Sequence, residues 1–134
     1  MKQGVLNGYS KSLIRPDRRT IAHVLRDNGY TTACIGKWHL GWNWNNIENG
    51  TDKVDFSKPV TEGPTTHGFD YFYGISGSLD MAPYVYLEND KPTALPNRVT
   101  GNKEKFSWWR EGPTLPTLCM NKFCLILSIG PSVT

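Results

Sequence analysis

The stretch from Gly29 to Gly41, Gly-Tyr-Thr-Thr-Ala-Cys-Ile-Gly-Lys-Trp-His-Leu-Gly, closes a short apolar run with glycine and then sets Lys37 and His39 two residues apart. The Lys37 ammonium is a compact point charge that can neutralise an oxyanion, and the His39 imidazole gains or loses a proton near neutral pH. Together they suit a phosphate or sulfate group whose negative charge grows during reaction. If the backbone stays extended through Trp38, Lys37 and His39 project to one side and Trp38 packs on the other. The same residues also fit a solvated loop lysine and a hydrogen-bonded core histidine, and spacing alone does not choose between the two.

An αβ unit is expected to carry this pair. Pro16 and Asp17 mark a turn, Thr20 suits an N-cap, Ile21, Val24 and Leu25 recur at helical spacing, and Asn28-Gly29 stops the helix. Tyr30 to Ile35 reads as a short buried strand ended by Gly36. In open α/β sheets ligands bind beyond the carboxyl ends of the strands, which is where Lys37 and His39 then lie. Residues 42–66, rich in Asn, Asp, Gly, Lys and Pro, read as a long loop able to fold over the site. His67 to Ser78 reads as a packed irregular segment, Tyr84 to Leu87 as a strand, and Glu88 to Lys91 as a turn before Pro92.

Other candidates are weaker. Asp80 follows a Gly/Ser-rich turn and is a candidate substrate-binding carboxylate, with turn capping as the alternative. His67 reads as a residue of packing and loop geometry, and Cys34 as a buried, inert thiol. Trp108 and Trp109 either line a sugar or aryl subsite or belong to the core. Cys34, Cys119 and Cys124 match no zinc spacing and define no disulfide framework.

At 134 residues the chain can form one small domain, and 13 glycines and 9 prolines make it rich in loops. The net charge of +3 is spread among acids without a basic run, so nucleic acid is not the expected partner. The longest apolar run, Phe123 to Ile129, falls far short of the roughly 20 residues needed to span a bilayer, and no membrane association is expected. The opening MKQGVLNGYS lacks the apolar core of a secretory signal, and the compartment stays open.

Gly29 to His39 resembles the second signature of the type I sulfatases, in which Gly-Tyr-x-Thr leads into Gly-Lys-Trp-His-Leu-Gly. The resemblance continues upstream through GVLNGYSKSLIRPDRRTIAHVLRDNGY and downstream through HGFDYFYGISGSLDMAPYVYLEND, covering Gly4 to Pro113. It implies an α/β fold, a fragment of the alkaline-phosphatase-like (sulfatase) architecture with a central, mostly parallel sheet. It also implies a calcium-dependent hydrolase acting on an aryl sulfate or a sulfated carbohydrate. The family's nucleophile is a formylglycine made from a Cys or Ser in a C/S-x-P-x-R motif. By position in the signature, Lys37 would contact a sulfate oxygen and the formylglycine, and His39 would hydrogen-bond the formylglycine hydroxyl.

The chain departs from that pattern at both ends. No C/S-x-P-x-R motif occurs in it, Met1 is expected to match an internal family position, and the calcium ligands are expected to lie outside these residues. Residues 1–113 are therefore expected to be part of a sulfatase N-terminal domain, marginally stable alone, binding no calcium and lacking activity. Residues 114–134, with Lys122 as their one charge, read as a divergent tail from a frameshift, readthrough or misread exon. The alternative function is a noncatalytic module that binds sulfated glycans or a partner through Lys37, His39 and the tryptophans.

Overall fold

The structure, a computed structural model, describes residues 6–45, 53–101 and 109–118. One helix, α1 (Ile21–Asp27), precedes six short strands: β1 (Ala33–Lys37), β2 (Tyr71–Ile75), β3 (Tyr86–Glu88), β4 (Lys91–Pro92), β5 (Arg98–Thr100) and β6 (Gly112–Thr114). Helix α1 begins where expected, with Thr20 at the N-cap and its backbone N–H donating to His23 Nδ1 at 3.2 Å. It ends at Asn28 and Gly29: the Gly29 N–H bonds to the Arg26 carbonyl and the Tyr30 N–H to that of Leu25, the Schellman pattern that the positive φ of Gly29 permits.

β1 to β4 form one sheet in sequence order, and β5 pairs with β6 in a second. The class is α/β, and the four-stranded sheet is mixed: β1 and β2 are parallel, whereas β2–β3 and β3–β4 are antiparallel. The parallel pair starts from a polar clasp, in which Asp70 Oδ2 accepts the Thr32 N–H at 2.8 Å and the Thr32 hydroxyl at 3.0 Å. Those bonds hold the Asp70 carboxyl below its ordinary pKa. Its register then sets Gly36 opposite Gly74 and Lys37 opposite Ile75.

Two elements differ from the sequence reading. His67 to Ser78 is not wholly irregular, since Tyr71–Ile75 is the strand between β1 and β3. Phe72 packs edge-on against Trp42 at 5.9 Å and Tyr73 stacks on Tyr86 at 5.6 Å, so β2 is covered on both faces and shows no polar alternation. The second difference is β1, which lies three residues later than the expected strand and is not buried. It occupies the sheet edge, and Ile35 is 66% exposed.

The core lies on the β2–β3 side. Trp42, Phe72, Val85, Leu87, Leu115 and Leu118 are buried, and Thr114, Leu115 and Leu118 continue it past residue 113. Residues 42–45 and 53–60 pack into it as well, burying Trp42, Val54 and Val60. Asn89 closes the expected turn between β3 and β4, exchanging two hydrogen bonds with the Phe72 backbone. On α1, by contrast, only Ala22 is buried, and Ile21, Val24 and Leu25 remain exposed. Among the described residues no helix is long and apolar enough to cross a membrane. Residues 119–134, with Cys119, Cys124 and most of the expected tail, lie outside the described residues, as does Trp108.

A methyl group on Gly74 would sit 1.7 Å from the Gly36 carbonyl oxygen, an impossible contact between two backbones. Gly74→Ala is therefore expected to unfold the chain or to cost it about 3 kcal/mol, the upper range for overpacking. Urea unfolding followed by circular dichroism checks this, and an unchanged midpoint would contradict the register.

Candidate functional site

The ladder between β1 and β2 runs on for two residues past the strand end. The Trp38 N–H bonds to the Ile75 carbonyl and the His39 N–H to the Ser76 carbonyl, both at 3.0 Å. The chain then turns at His39, whose φ of 52° lies in the left-handed region. This places Lys37 and His39 at the carboxyl ends of two paired parallel strands, the position at which α/β sheets bind ligands.

Lys37 is exposed and its Nζ donates to Ser78 Oγ at 3.3 Å. Ser78 thus holds the ammonium over the turn that follows β2. His39 takes a different partner: its Nε2 lies 3.1 Å from the Leu6 carbonyl oxygen. A carbonyl only accepts, so Nε2 carries the proton and the neutral ring presents Nδ1 as a base. Trp38 packs inward, as expected, its Nε1–H donating to the Gly41 carbonyl at 2.9 Å and its indole facing His67 and Phe69.

Besides Ser78, the turn after β2 contributes two further polar residues. Ser76 Oγ is buried with no hydrogen-bond partner among the described residues. Asp80 is half-buried, and no side-chain hydrogen bond holds its carboxylate among the described residues; its backbone carbonyl accepts the Arg110 N–H at 3.1 Å. The Arg110 carbonyl in turn accepts the Tyr84 hydroxyl at 2.6 Å, and burial pushes that phenol up to about 12, so it remains a donor. Asp80 therefore sits on the same turn as Ser78, the partner of Lys37. Ser76 and Ser78 escaped the sequence reading because a Gly/Ser-rich stretch looks like any loop until β2 is known to end just before it.

The remaining candidates fall outside this cluster. Cys34 is half-buried and its thiol is pushed up by burial, which keeps it a thiol. Trp109 packs against the core. Among the described residues no three His, Cys, Asp or Glu side chains gather as a metal site would require. The calcium that the resemblance implies needs several convergent oxygens. No such carboxylate set gathers among the described residues.

Similarity to known proteins bears on what this turn is. The sulfatase family model matches residues 2–111. An N-acetylgalactosamine-6-O-sulfatase of Bacteroides thetaiotaomicron is 36% identical over 118 residues, which cover 86% of this chain and 22% of that protein. The chain belongs to the sulfatase family. Human steryl-sulfatase is 48% identical over 60 residues, 45% of this chain and 9% of that protein. A solved structure from work on glycosaminoglycan metabolism by Bacteroides thetaiotaomicron superposes with a TM-score of 0.59 at 33% identity, covering 79% of this chain and 22% of the other. This sulfatase chain thus spans about a fifth or less of the length of these relatives.

Beneath the turn of this sulfatase, His67 is 1% exposed and its pKa is lowered, chiefly by burial, against the pull of the Glu62 charge. Between that lowered value and the usual 6.5, the unfolded chain holds a proton that the folded chain refuses. Stability is therefore complete above 6.5 and falls as the pH drops through that window. The melting temperature of the full chain is expected to decline from pH 7.5 to 5.5, and His67→Phe to flatten the decline; parallel profiles would contradict it.

Proposed function

We propose that this chain carries the anion-holding part of a sulfate-ester hydrolase site, and that residues 1–113 are part of a sulfatase N-terminal domain whose hydrolysis belongs to the longer protein. The observation that supports it most is the convergence of Lys37 and Ser78 from the carboxyl ends of paired parallel strands, with His39 in the same turn.

Each side chain has a role consistent with its setting. The Lys37 ammonium neutralises sulfate oxygens, and Ser78 orients it so that less conformational freedom is lost when the ester arrives. His39, with Nε2–H committed to the Leu6 carbonyl, offers Nδ1 to hold or return a proton beside the ester. Asp80 borders the turn and would meet hydroxyl groups of the alcohol portion. The nucleophile that the family draws from C/S-x-P-x-R is not among these 134 residues, so the chain binds and polarises an ester without cleaving it.

The relative covering most of this chain acts, by its name, on an N-acetylgalactosamine 6-sulfate, which favours a sulfated carbohydrate over an aryl sulfate as substrate. Calorimetric titration of the full chain with galactose 6-sulfate and with phenyl sulfate tests both points. Lys37→Met is expected to weaken binding by about tenfold, the loss of one charge-assisted contact. Equal affinity of the variant and the parent chain would remove Lys37 from the site.

A further inference from the structure

We propose that His67 is a positioning residue for the turn from Lys37 to His39 and acts through Trp38; this rests on reading that turn as the sulfate-ester site. The His67 and Trp38 rings stack, their centroids 6.4 Å apart and their planes inclined by 12°. Phe69 meets the same indole edge-on at 6.2 Å and 90°. Trp38 stands between the two chemical groups, and its Nε1–H staples the turn to the Gly41 carbonyl. Whatever fixes the indole therefore fixes the backbone from which Lys37 and His39 depart.

His67 is itself held from several sides. Its N–H donates to the Pro64 carbonyl at 3.0 Å and its carbonyl accepts the Thr20 hydroxyl at 2.6 Å. At the ring edge, Nε2 lies 3.4 Å from Ser12 Oγ. The Ser12 hydroxyl gives its own proton to the Ile14 carbonyl at 3.1 Å, so Nε2 is the donor in that pair. The charged and titratable groups around the ring are Glu62, whose Oε2 is 3.9 Å from Nε2, and His23 on α1. The N-cap of α1, the segment before it, residues Glu62 and Pro64, and the turn after β1 thus meet at one residue.

Volume filling does not account for this arrangement. Burying an imidazole costs desolvation that a leucine would avoid, and Glu62 Oε2 beside it is buried without a hydrogen-bond partner among the described residues. A flat ring with one polar edge does what leucine cannot: its face meets the indole while its Nε2–H edge is held by the Ser12 hydroxyl, so Trp38 has one resting place.

The full chain has three histidines and five tryptophans, few enough for each imidazole and indole N–H resonance to be assigned by NMR. His67→Ala is expected to move the Trp38 Nε1–H and His39 Cε1–H resonances and to weaken galactose 6-sulfate binding by about fivefold or more, as misplacement of a binding group does. His67→Phe, which keeps the flat face and loses the polar edge, is expected to return both resonances and the affinity part of the way to those of the parent chain. Unmoved resonances in His67→Ala, or a His67→Phe variant as perturbed as His67→Ala, would overturn the proposal. If His67→Ala does not fold, a pH titration of the parent chain decides: the Trp38 Nε1–H signal must follow the His67 midpoint, and a flat signal through it refutes the coupling. If the parent chain binds no galactose 6-sulfate, the substrate reading fails, while the resonances still decide the role of His67.

Discussion

Gly36 and Gly74 face each other across the only parallel pair among the described strands, and the carbonyl of one occupies the space where the other would carry a side chain. That close approach locks the register of β1 against β2, because a slip of one residue would drive a Cβ into a backbone. The lock brings the carboxyl ends of the two strands level. Lys37 and His39 leave one end and Ser76, Ser78 and Asp80 leave the other, so groups from two separate parts of the chain share one rim.

The packing around this rim is lopsided. On the β2–β3 side, tryptophan, phenylalanine and leucine side chains from four segments fill a closed core, and the Asn89 turn is bonded back onto Phe72. On the β1 side, Ile35 and the large apolar residues of α1, Ile21, Val24 and Leu25, face solvent, and β1 has no outer neighbour among the described residues. Parallel strands are ordinarily covered on both faces and flanked on both edges.

Local signals in the sequence were faithful where local physics decides the structure. Thr20 and Asn28-Gly29 bound α1 because capping depends on neighbours within one turn, and Glu88 to Lys91 became a hairpin turn for the same reason. The Lys37, Trp38 and His39 grouping could be placed at a strand end by its glycine and its apolar lead-in. Strand β2 could not be read, because an interior strand has no polar face and its glycine imitates a loop. The contact from Lys37 to Ser78 spans 41 residues, and nothing near either residue announces it. The burial of β1 was misjudged for a related reason: apolar composition records what a strand is suited to meet, and only the assembled sheet shows what it does meet.

The left-handed backbone at His39 reaches beyond its geometry. Residues with a Cβ seldom rest at a φ of 52°, and asparagine and aspartate tolerate it better than alanine, while β-branched residues tolerate it worst. Replacing His39 with alanine would therefore confound two losses, an imidazole and a settled turn, whereas asparagine removes the ring and leaves the chain a conformation it accepts. The choice of control at this position is set by a torsion angle before any chemistry is considered.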